Sequence, residues 1–267
     1  MTQQVFAVLG AFALKPAHMI LSLVILWMLR KPSGPDLRQL RAGVAIFFAG
    51  ELFCAINFLF VDGMSMVLDW VHSLGMVLGF GFIFLGLFTL LDVRVFFITG
   101  KDKRCAFARF CSGCFKDSEA SCGLERFFIF IAAALIALSL LPLARPIIHI
   151  ERTVIIFGGE VSQYYPEFLQ IIFLRIYPFA GMALLIASLF ILLLKKRSSV
   201  SSAKYPFSIG LGFFTYSLLK FILLYCFEHR TVWADFWEEA TELIVASGIF
   251  VLLLVFNKQL IKNRAES

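Results

Sequence analysis

The chain has 267 residues, of which 60% are hydrophobic, 16% charged and 32 are phenylalanine, with a formal net charge of +6. Its mean hydropathy is +0.89. A soluble domain carries about 25% charged residues and is less than half apolar, so composition excludes a soluble globular protein, a disordered chain and a disulfide scaffold.

A membrane span needs about 20 apolar residues to cross a hydrocarbon layer about 30 Å thick. Seven stretches qualify: Val5–Leu29, Val44–Val61, Met66–Leu91, Phe127–Leu143, Phe168–Leu194, Phe207–Phe227 and Phe236–Phe256. The ten-residue alternating segments of a β-barrel are missing. The expected fold is therefore all-α: a polytopic integral membrane protein in one domain, a bundle of about seven transmembrane helices.

Before the first span there is no basic segment, since its first charge is Lys15, and no small-residue cleavage site follows. The apolar N-terminal stretch is thus expected to remain as a span. Lys15 and His18 lie on it, about 18–22 Å above Arg30 at 1.5 Å per residue. Glu51 falls near the middle of the second span, with Asn57 above it. Asp69 and His72 open the third and share a helix face, being three apart. Gly75 and Gly79 form a GxxxG that favours close helix packing. The fourth span has no charge. Arg175 sits one to two turns into the fifth, just before Pro178, which removes a backbone hydrogen bond. Lys220 lies about four turns up the sixth, and Glu239 and Glu242 open the seventh.

Lys and Arg orient the whole. Loops after the first, third and fifth spans, together with the tail, hold 18 of the 24 basic residues. Arg145, Arg152 and Arg230 are the basic residues of the opposite loops. This places the N-terminus outside and the C-terminus in the cytoplasm, in a plasma or bacterial inner membrane. The inner loops and tail carry 18 basic and seven acidic residues, and the remainder six basic and eleven acidic. The basic excess therefore marks contact with an anionic inner leaflet and not with nucleic acid.

An ionisable side chain deep in a span costs about 2.5–3.5 kcal/mol on insertion scales. Lys15, His18, Glu51, Asn57, Asp69, His72, Arg175, Lys220, Glu239 and Glu242 all fall between mid-membrane and the outer surface. They predict an outward-facing polar site for a proton or a small ligand. Structural ion pairs are the plainer alternative for any one of them. His18, Glu51, His72 and Glu242 have the chemistry to hold a divalent metal. A haem between His18 and His72, with Arg175 and Lys220 at its propionates, is a further option. His149 and His229 fall in outer loops.

Four of six cysteines cluster between the third and fourth spans, in the inner loop of about residues 92–126. Cys105, Cys111, Cys114 and Cys122 are spaced C-x5-C-x2-C-x7-C. In a reducing cytoplasm such thiols suggest a metal site. Four thiolates suit zinc or an iron–sulfur cluster. Reduced thiols without metal remain the alternative, and a cytoplasmic protein partner is a further expectation for this basic loop. Cys54 and Cys226 lie in spans as small hydrophobes.

Family hallmarks are missing. The last span has neither the lysine of microbial rhodopsins nor the HxxxH pair of adiponectin-receptor-type hydrolases. The leading expectation is a sensor-like or transport-accessory membrane protein. A membrane electron-transfer component and a membrane-embedded metal hydrolase, with Glu51 or Glu242 as general base, stand behind it.

Overall fold

A computed structural model describes residues 2–32, 34–61, 63–96, 123–156, 159–194, 199–228 and 230–265. Among these, six helices are long and apolar enough to cross a membrane: Gln4–Met28, Pro35–Phe60, Met66–Arg94, Phe127–Ala144, Glu167–Leu193 and Ser202–Cys226. They coincide with the first six apolar stretches. Helix is what lipid demands, because a spanning backbone must satisfy its own hydrogen bonds. The seventh stretch falls inside a single 35-residue helix, Thr231–Ala265.

Two features lie outside the apolar pattern. The second helix begins nine residues before its apolar stretch, at Pro35, where proline suits a first helical turn and Asp36 favours the helix N-terminus. A hairpin joins β1 (Ile150–Ile156) to β2 (Gly159–Tyr165), antiparallel, with Ile150 opposite Tyr165 and Ile156 opposite Gly159. It adds a small sheet to a chain otherwise expected to be helical.

By internal packing the chain divides into two compact units: residues 1–30, 149–165 and 222–267, and residues 31–148 and 166–221. In the first, α1 (Thr2–Leu9), a π-helical turn (Gly10–Leu14) and α2 (Lys15–Met28) lie along α10 (Thr231–Ala265). Phe6 packs on Trp233 and Phe236, with centroids 4.0 and 4.9 Å apart. Tyr165 at the end of β2 donates a hydrogen bond to Asp235 on α10.

The second unit is built on the α3 (Pro35–Phe60) and α4 (Met66–Leu91) pair. Gly75 and Gly79 do what their spacing predicts. A Cβ on Gly75 would sit 2.7 Å from the Gly50 Cα, and one on Gly79 2.9 Å from the Phe47 Cα. Further along, α5 (Gly123–Leu138), α6 (Leu140–Ala144), α7 (Glu167–Ile171), α8 (Tyr177–Leu193) and α9 (Ser199–Cys226) follow. The charge-free stretch of α5 after Arg126 contributes Ala132 to a core with Leu185 and Phe207. Phe88, Phe128 and Phe207 meet edge to face there, at 5.4–5.8 Å. At the Asp36 end of α3, Arg94 Nε lies 2.7 Å from the carboxylate of Asp36, and Lys204 Nζ is 2.6 Å from Asp92.

Proline explains two irregular turns. In both, a π turn ends two residues before a proline: Gly10–Leu14 before Pro16, and Ile172–Ile176 before Pro178. A proline ring clashes with the carbonyl four residues back and offers it no N–H. Widening the preceding turn relieves the clash, and the Lys15 and Tyr177 amides bond five residues back, to Gly10 and Ile172.

Candidate functional site

The first unit gathers four of the sequence-predicted residues. Lys15 and His18 lie one turn apart on α2, and Glu239 and Glu242 one turn apart on α10. Lys15 Nζ is 2.8 Å from Glu239 Oε1, and His18 Nε2 is 2.8 Å from Glu239 Oε2. The same ring nitrogen is 3.3 Å from Glu242 Oε2. Glu239 thus receives a cation on one oxygen and an imidazole on the other.

The π turn puts His18 on this face. In an unbroken α-helix, twelve residues at about 100° each would set His18 about 120° round from Phe6. One extra residue held in the π turn reduces that to about 20°. Phe6 and His18 therefore both face α10.

Burial is graded across the cluster. The side chains of His18 and Glu242 are 0% and 1% exposed, and those of Lys15 and Glu239 13% and 15%. Buried carboxylates persist only when paired or hydrogen-bonded. The cluster sets one imidazole against two carboxylates. It is also a donor set for a divalent cation.

The second unit holds the other predicted residues, in separate small groups. Glu51 is wholly buried on α3. Its Oε1 lies 3.4 Å from His72 Nδ1, which is also 3.1 Å from the Gly50 carbonyl oxygen. The Asn57 amide donates to Asp69 Oδ1 at 2.6 Å, and its oxygen accepts the Ser65 N–H at 3.0 Å. Asn57 and Asp69 therefore close the turn between α3 and α4. Arg175 donates to the carbonyl oxygens of Pro142, Leu174 and Arg145, holding the C-terminal end of α6. Lys220 is buried, with its ammonium 5.4 Å from the Phe173 ring and 5.5 Å from that of Tyr216.

Some polar pairs escaped the sequence reading. Tyr177 and Ser73 hydroxyls meet at 2.9 Å. Buried Gln170 donates to the Ile148 carbonyl at 2.7 Å and accepts its N–H at 3.3 Å. Gln170 carries no charge, so a search for ionisable residues passes over it. Pro16 was the available signal for the π turn beside Lys15.

Cys105, Cys111, Cys114 and Cys122 lie outside the described residues, as does His229. Cys54 is half-buried on α3, and Cys226 is exposed at the end of α9. His149 is exposed. Comparison with protein-family models, curated proteins and solved structures finds no match to this chain.

Proposed function

We propose that this chain is a seven-span integral membrane protein, N-terminus outside and C-terminus cytoplasmic, whose Lys15–His18–Glu239–Glu242 cluster binds and releases a proton or small cationic ligand. The role is that of a sensor or transport accessory in a plasma or bacterial inner membrane. The observation that carries this reading is a fully buried imidazole nitrogen within 3.3 Å of two carboxylates, one of them held by a lysine. A simple ion pair sets one acid against one base. Here a lysine and an imidazole meet two acids, and one ring nitrogen faces both carboxylates. The cytoplasmic cysteines Cys105, Cys111, Cys114 and Cys122 supply a second element, a zinc-binding or redox-responsive loop that links the site to a cytoplasmic partner.

The test is a pH titration of intrinsic fluorescence on the full chain in lipid nanodiscs. Trp237 and Trp233 share α10 with both carboxylates and report on them. A pH-dependent transition is expected in the wild type. It should vanish in the His18→Gln, Glu242→Gln double variant with circular dichroism unchanged. Superimposable titrations of the two proteins would overturn the reading.

A further inference from the structure

The donor geometry in the first unit is more specific than proton binding requires. Around a first-row divalent ion with bonds of about 2.05 Å, neighbouring donors stand about 2.9 Å apart in an octahedron and about 3.3 Å apart in a tetrahedron. His18 Nε2 lies 2.8 Å from Glu239 Oε2 and 3.3 Å from Glu242 Oε2. One donor atom from each of the three residues lies within 4.8 Å of the others. They come from two helices and need little movement to form one face of a coordination shell.

We propose that His18, Glu239 and Glu242 bind a first-row divalent metal ion, such as Mn²⁺ or Zn²⁺, with solvent or substrate completing its shell. The inference deepens the ligand-site reading and rests on the same cluster. Imidazole and carboxylate are the donor types such ions share. Two carboxylates balance the charge of the ion, a condition for holding it in a low-dielectric setting. Lys15 stays on the oxygen of Glu239 that faces away from His18 and fixes the carboxylate's orientation, as outer-shell partners of metal ligands do. Of the three donors, Glu239 is partly exposed whereas His18 and Glu242 are buried.

Mn²⁺ is the probe of choice, since it favours carboxylate oxygen over thiolate and leaves the four-cysteine loop out of the measurement. Full-length protein in detergent is stripped with chelator and titrated with Mn²⁺, and the free ion is read by electron paramagnetic resonance. One equivalent bound per chain is expected, with His18→Gln and Glu242→Gln each weakening binding at least tenfold. For wild type alone, pulsed resonance should show the nitrogen of one coordinated histidine, a readout that requires no variant to fold. Absence of stoichiometric binding, equal binding by the variants, or a bound ion without histidine nitrogen would each overturn the assignment. The chelated protein is also titrated with pH. A retained fluorescence transition with no bound Mn²⁺ would refute the metal site alone, and loss of both would refute the ligand-site reading with it.

Discussion

Removing Lys15 should expose how much of the first unit depends on its cluster. Lys15 and Glu239 are 2.8 Å apart with side chains 13% and 15% exposed, so solvent screens them only weakly. Glu239 would keep His18 as a partner and lose its full positive charge. Breaking a buried pair by removing one member costs about 3–5 kcal/mol. The remaining partner and partial exposure place Lys15→Met near the low end, at about 3 kcal/mol. Glu239→Gln should cost a similar amount, since it strands Lys15. The Lys15→Met, Glu239→Gln double variant leaves neither charge uncompensated. A double-mutant cycle should therefore give a favourable coupling of about 2 kcal/mol. Reversible unfolding in mixed detergent micelles, followed by circular dichroism, measures all four corners. A coupling below about 0.5 kcal/mol, the scale of exposed pairs, would refute the reasoning.

Other outcomes follow from the second unit and from the hairpin. Gly75→Val places a side chain against the Gly50 backbone, which has no flexible end to move aside, and should destabilise by about 1–3 kcal/mol or more; the same unfolding assay checks it. Arg175→Lys cannot serve three carbonyl oxygens from one planar fork, so hydrogen exchange over residues 140–148 should rise while distant helices stay protected. Asn57→Leu loses the bond to Asp69 and the Ser65 N–H acceptor, and a loss of about 2 kcal/mol is expected in thermal unfolding. Tyr165→Phe removes the hydrogen bond to Asp235 and should speed proteolysis within residues 150–165 without altering total helicity.

Spans were legible because lipid imposes one requirement on the whole segment, and a run of apolar residues states it directly. Helix ends were not, since α3 starts in the polar sequence Pro-Asp-Leu-Arg, where Arg94 from a distant segment neutralises Asp36. The residue types of the candidate site were also readable: Lys15 with His18, and Glu239 with Glu242, each fit one helix face. Their pairing was not, because the contact joins helices more than 220 positions apart in the chain. It also needs the π turn, whose cause is Pro16. Arg175 looked like a site residue for the same reason as His18, its charge and depth. Two of its partners, the backbone carbonyls of Pro142 and Arg145, are 33 and 30 residues away, which no side-chain pattern encodes. The hairpin was hidden in what read as an outer loop, though β-branched and aromatic residues flank Gly158 and Gly159 in the sequence.

The most direct measurement is solid-state nitrogen NMR of histidine-labelled full-length protein in bilayers, with the His18 signal assigned by its loss in His18→Gln. The account predicts a His18 ring nitrogen strongly hydrogen-bonded to carboxylate and a signal that shifts in both Glu239→Gln and Glu242→Gln. A His18 signal indifferent to both substitutions would contradict it.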